Sequence, residues 1–177
     1  YANALESNPL IIPIEAGLLL VLLAHAYKAI AMYLRNRSAR PVHYLKKRSA
    51  GHTTRKSFAS STMIFSGLWL LIFIVIHVNA FKFGAEYERA GVRDLYRLEF
   101  ENFSNPLMVA FYVVSMLVVG SHLWHGISSG AQSLGLDHPV WTPRIRAFGK
   151  VMAVLIAGGF MLIAIWVYVS QPGQVAP

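Results

Sequence analysis

The chain contains no cysteine. Disulfides, thiolate metal centres, Cys-ligated iron–sulfur clusters and covalent haem attachment through C-x-x-C-H are therefore excluded. Charge is also scarce: Asp, Glu, Lys and Arg make up 14% of the 177 residues, against about 25% in soluble globular proteins. Acids are the scarcest, 8 against 16 Lys and Arg, for a net charge of +8. A pI near 10.0 raises nucleic acid as a partner, but that needs bases spread over a folded face. Here they gather in one stretch, so nucleic acid is not expected.

Apolar residues, in contrast, form 55% of the chain, with a mean hydropathy of +0.48. They concentrate in four runs, about residues 9–34, 62–81, 106–134 and 149–170. Each is long enough to cross a hydrocarbon core of about 30 Å as a helix. Lipid offers no partners to backbone polar groups, and the alternation of barrel strands is absent, so the spans are predicted to be helices. The expected fold is all-α, a single transmembrane helical bundle over residues 1–177. Asn8-Pro9 and Asn105-Pro106 mark two helix starts, Pro139 and Pro143 the third connection, and Pro172-Gly173 the end of the last span.

The first connection, Arg35 to Phe58, has eight bases and no acid. By the positive-inside rule it is cytoplasmic. The second, Lys82 to Glu101, has four bases and five acids and belongs outside; the third, Asp137 to Lys150, carries Arg144, Arg146 and Lys150 against one acid and returns inside. These signs orient the spans consistently, with the C-terminus outside, and a multi-pass chain of the cell inner (cytoplasmic) membrane is expected. Tyr1-Ala2-Asn3-Ala4 would then start outside, with neither an initiator methionine nor a signal peptide. A preceding inside-to-outside helix, or proteolytic processing, is expected.

Coordinating side chains inside spans are rare and costly. His25 and His122 each lie 15 residues from the start of their runs, at Leu10 and Leu107, which puts both about 22 Å from the outer side. Two histidines at one level suit bis-imidazole coordination of a haem b from opposite faces. Ala24, Ala26 and Ala29 around His25, and Gly120, Ser121, Gly126, Ser128, Ser129 and Gly130 around His122, leave room for a flat macrocycle. The alternative is that small residues let helices pack closely while the histidines hydrogen-bond across the interface. His125 lies three residues from His122 on the same side, so spacing alone allows either as ligand. A zinc or di-metal site there would need carboxylates, and the span has none. His77, 15 residues from Thr62 on a helix running outward, lies towards the outside without a histidine at its level. His43, His52 and His138 fall in connections and read as solvated.

Glu15, the only acid within a span, is either an interfacial carboxylate or a proton-exchange group for a redox cofactor near the outer face. Lys28, one turn from His25, either snorkels to headgroups or faces a haem propionate. Ser57, Ser60, Ser61 and Thr62 either cap a helix or donate to propionates. Trp69, Trp124, Trp141 and Trp166 need no role beyond packing and interface anchoring.

Ala24-His25-Ala26-Tyr27, Arg35-Asn36-Arg37-Ser38-Ala39-Arg40-Pro41, Ser60-Ser61-Thr62-Met63-Ile64-Phe65-Ser66-Gly67, Ile76-His77-Val78 and Ser121-His122-Leu123-Trp124-His125-Gly126 follow one another in this order. Over essentially its whole length the chain resembles the single-subunit di-haem cytochrome b anchor of succinate:quinone oxidoreductases, the succinate dehydrogenases and fumarate reductases. The resemblance implies five helices and two stacked b haems. His25 and His122 would hold the inner haem, His122 rather than His125 because the family's ligand precedes a glycine by four. His77 would hold the outer haem with a histidine on the family's first helix, which this sequence lacks. The resemblance further implies flavoprotein and iron–sulfur partners on the basic cytoplasmic face, an electron-transfer role without succinate chemistry of its own, and a membrane quinone, often menaquinone. Glu15 would then stand near the quinone. A cytochrome b subunit of another membrane oxidoreductase and a haem-free scaffold are the competing expectations. A channel or transporter is disfavoured by the lack of broken helices and of an acidic ring.

Overall fold

The computed structural model describes residues 7–39, 57–89 and 91–170. The fold is all-α, and the described residues include four helices long and apolar enough to cross a membrane. Most of the basic first connection, from Arg40 to Lys56 and including His43 and His52, lies outside the described residues. The molecule divides into two compact units, residues 1–64 and 65–177.

The first unit contains helix α1 (Ile11–Ser38) and the single turn α2 (Phe58–Ser61). Asn8 accepts the Leu10 N–H through its side chain at 2.9 Å, so the joint at Asn8-Pro9 starts a helix as expected. At the other end α1 outruns the apolar stretch by a turn. Arg35 and Arg37 occupy that turn, where positive charge complements the negative end of the helix dipole. In α2, Ser57 is the N-cap and accepts the Ser60 N–H at 3.1 Å.

Helix α3 (Met63–Phe81) carries the chain into the second unit. The following segment is more ordered than a bare connection. A two-residue hairpin pairs β1 (Glu88–Arg89) with β2 (Val92–Arg93), turning on Gly91 at φ 75°. Helix α4 (Leu95–Asn102) follows, capped by Asp94, whose side chain accepts the Arg97 N–H at 3.1 Å. The Arg93 guanidinium donates to the Phe81 and Lys82 carbonyls at 3.1 and 3.2 Å. It thus satisfies the C-terminal carbonyls of α3, which have no partner within the helix. The Tyr87 hydroxyl bonds to Glu101, which raises its pKa, and Arg97 lies 4.1 Å from its ring centroid.

Helix α5 (Pro106–Ser133) starts where Asn105-Pro106 predicts: Asn105 accepts the Leu107 N–H at 2.9 Å and Pro106 takes the first turn, where it needs no donor. It ends on Gly135 at φ 81°, with Leu136 N–H returning to the Ala131 carbonyl and Gly135 N–H to Gln132. Helix α6 (Trp141–Val169) departs from the sequence expectation. Its apolar run begins near Gly149, but the helix begins eight residues earlier. Pro143 falls in the first turn, where its missing N–H costs nothing, and the Thr142 hydroxyl ties that turn to Asp137 at 2.7 Å. Arg144, Arg146 and Lys150 therefore stand on the helix rather than in a loop.

The core of the second unit brings Phe73 of α3 together with Phe103, with Val109, Tyr112 and Met116 of α5, and with Ala164 and Val167 of α6. Helices α5 and α6 approach closely through small residues. A Cβ on Gly120 would lie 3.1 Å from that of Ala157, and one on Gly149 would lie 3.2 Å from Ile127 Cβ.

Candidate functional site: histidines between α3 and α5

Opposite this close seam, α5 meets α3 through large and polar side chains. Four contacts run in antiparallel order. Phe81 stands edge to face with Tyr112, with ring centroids 6.1 Å apart. The His77 ring lies beside Tyr112, with its Nδ1 3.0 Å from the Tyr112 hydroxyl. Trp69 donates its indole N–H to Ser115 at 3.1 Å, and the Ser66 hydroxyl sits 3.0 Å from Nδ1 of His122. The sequence sets this face: Ser66 and His77 stand 11 residues apart, about three helical turns, and so share one side of α3.

Each predicted iron ligand of this unit thus has its Nδ1 engaged by a hydroxyl from the opposite helix. With the proton on Nδ1, the ring donates to that hydroxyl and Nε2 carries the in-plane lone pair. Metal-bound histidines adopt this arrangement, donating their other N–H to a fixed acceptor that sets tautomer and orientation. The two levels are well separated. Tyr112 and His122 are ten residues apart on α5, about 15 Å along the axis.

The surroundings of the two rings differ. His77 is exposed on one side and touches aromatic groups on the other: Phe73 stacks on it at 5.6 Å and 24°, and Phe81 lies at 5.2 Å. His122 faces small residues, and a Cβ on Gly67 would stand 3.6 Å from its Cε1. Between the levels Ser115, fully buried, receives the Trp69 N–H and has its hydroxyl satisfied.

The remaining predicted residues stand on other elements. Glu15, His25 and Lys28 belong to the first unit and to one helix, α1, of which no residue is buried. Glu15 is half-buried; His25 and Lys28 are exposed and, three residues apart, share a side. Ser61 donates its hydroxyl to the Ser57 carbonyl at 2.9 Å, and Thr62 to Phe58 at the same distance. A hydroxyl has one proton, so donation from Ser61 to a propionate requires that bond to open. The capping alternative describes Ser57 as found. His138 organises the turn before α6, accepting the Val140 N–H on Nδ1 at 3.2 Å. Among the described residues no three His, Cys, Asp or Glu side chains gather into a metal site.

Ser66 and Tyr112 are the residues that reading the sequence missed as partners of the histidines. The shared α3 face of Ser66 and His77 was a usable signal; the pairing with Tyr112 depends on how far α5 slides along α3. Compared with protein-family models, with curated proteins and with solved structures, the chain finds no match in any of the three.

Proposed function

We propose that this chain is the haem b-carrying membrane anchor of a succinate:quinone oxidoreductase in the cytoplasmic membrane. It would pass electrons from an iron–sulfur partner to a membrane quinone, with menaquinone as the quinone that the family resemblance favours. The observation that carries the reading is the pair of histidines, His122 and His77, at two levels of one interface, each with Nδ1 on a hydroxyl of the facing helix. A bound haem b supplies reversible one-electron chemistry at its iron. The chain's own residues do the rest. Ser66 and Tyr112 hold the imidazole tautomers and orientations, and the small residues beside His122 leave space for a macrocycle. His25 is the proposed partner ligand of His122, and Lys28 a cation for a propionate near it. Glu15 is proposed to exchange protons with a quinone near the start of α1; unchanged quinone reduction and pH dependence in Glu15→Gln would remove that role.

An interhelical hydrogen bond also serves a haem-free scaffold, and the absorption spectrum separates the two. Expressed with its partner subunits and purified in detergent, the chain is expected to give a b-type pyridine haemochrome spectrum. His122→Ala and His77→Ala should each remove part of it, and His125→Ala should leave it unchanged. A protein that folds without haem overturns the proposal in favour of the scaffold. Haem with hydrogenase or formate dehydrogenase subunits in place of a flavoprotein overturns only the choice of complex.

A further inference from the structure

On the side of α5 away from the histidines, a groove of about 270 Å³ runs between α5 and α6. Its lining repeats one spacing on both helices: Met116, Leu117, Gly120, Ser121 and Trp124 on α5, and Ala153, Val154, Ala157, Gly158 and Met161 on α6. Met116, Ala153 and Ala157 form a buried floor, while Leu117, Val154 and Trp124 are exposed walls. The nine-residue stretch on each helix, eight steps of helical rise, is about 12 Å long. At the small end of ligand-pocket volumes, an apolar slot of this length suits a hydrocarbon chain.

The end of the groove is charged. Lys150 Nζ lies 5.1 Å from the Trp124 ring centroid, and Trp124 closes that end. Arg146 stands one turn before Lys150 on α6, and neither α5 nor α6 contains an acid. We propose that the groove binds an anionic glycerophospholipid of the surrounding bilayer, one acyl chain lying along Gly120, Ala157 and Gly158 and the phosphate held at Lys150. Charge complementarity selects this occupant. A quinone tail would bring a neutral ring to a site whose only lining hydroxyl is that of Ser121, whereas a phosphate meets a cation held beside Trp124 at the groove's end.

The test uses the full chain with its partner subunits, reconstituted in nanodiscs of equal phosphatidylglycerol and phosphatidylcholine, then extracted and assayed for retained lipid by mass spectrometry. The wild type is expected to retain phosphatidylglycerol in about fivefold excess, the factor one interfacial cation supplies. Lys150→Gln should abolish the preference and Lys150→Arg should keep it. Gly158→Leu, whose added Cβ meets nothing within 4 Å, should fill the groove and lower total retained phospholipid several-fold with helix content unchanged. Equal retention of the two lipids by the wild type, an undiminished preference in Lys150→Gln, or an isoprenoid quinone retained in place of phospholipid overturns the proposal. Lys150 is exposed on the helix surface, so its two variants decide the matter even where Gly158→Leu fails to fold.

Discussion

The two sides of α5 are built in opposite ways. Against α6 it presents Gly120 and, further along, the Ile127 side chain that closes on Gly149, so the backbones come near and side chains are small or interlocked. Against α3 it presents Phe111, Tyr112, Ser115 and His122, which meet Trp69, Phe73, His77 and Ser66 through rings and hydrogen bonds. In lipid no hydrophobic force drives helices together, and close van der Waals packing takes its place. The small-residue seam holds the unit; the wider seam keeps imidazoles and hydroxyls between helices without each having to fit a tight contact. Polar chemistry belongs on the second side because a polar group facing lipid would be left unsatisfied.

The largest expected break in this contrast is on the close seam. Gly120→Leu drives an isobutyl group into Ala157, whose Cβ would already stand 3.1 Å from a Cβ at that position. A loss of about 3 kcal/mol is expected, seen as a lower unfolding temperature in detergent. An equal loss from enlarging Gly67, where the nearest atom is 3.6 Å from an added Cβ, would erase the distinction between the seams.

The wide seam should respond to smaller changes, and in chemistry more than in stability. Tyr112→Phe and Ser66→Ala each remove one interhelical hydrogen bond and should cost about 1 kcal/mol in thermal unfolding. Under the proposed function each also withdraws the acceptor that makes its imidazole more basic. The midpoint potential of the haem at His77 should therefore rise in Tyr112→Phe alone, and that at His122 in Ser66→Ala alone, as read by redox titration. Identical shifts at both haems in either variant would contradict two separate levels.

The smallest effect lies outside the helical seams, in α4. Burial raises the pKa of Glu99 above its ordinary value of 4.5. The folded state then binds the proton more tightly than the unfolded chain. Its stabilising contribution is complete below 4.5 and is lost as pH rises through the folded-state value. Glu99→Gln should flatten the fall in unfolding temperature with pH above that point. The raised pKa of Tyr87, held first by its bond to Glu101, acts the same way from 10.0 upward, so a residual decline confined to alkaline pH should remain in the variant.

The sequence by itself determined the number and rough position of the four spans, because apolar length decides membrane insertion without reference to neighbours. Asn105-Pro106 predicted its helix start to the residue, since a cap acts on the next turn only. It was less able to place the start of α6. Arg144, Arg146 and Lys150 look like loop residues by hydropathy, yet they prolong the helix because Thr142, Asp137 and His138 tie its first turn. That His77 and His122 stand at two levels was legible from helix rise, and their contacts, on Tyr112 of α5 and at His122 itself, are about 15 Å apart along that helix. What only the tertiary structure decided is which hydroxyl meets which imidazole, and that Lys150 comes to lie beside the Trp124 ring at the end of a groove. Those pairings depend on the slide and rotation of one helix against another, set by the fit of Gly120 to Ala157 and of Phe73 to Tyr112, and no local pattern along the chain encodes that register.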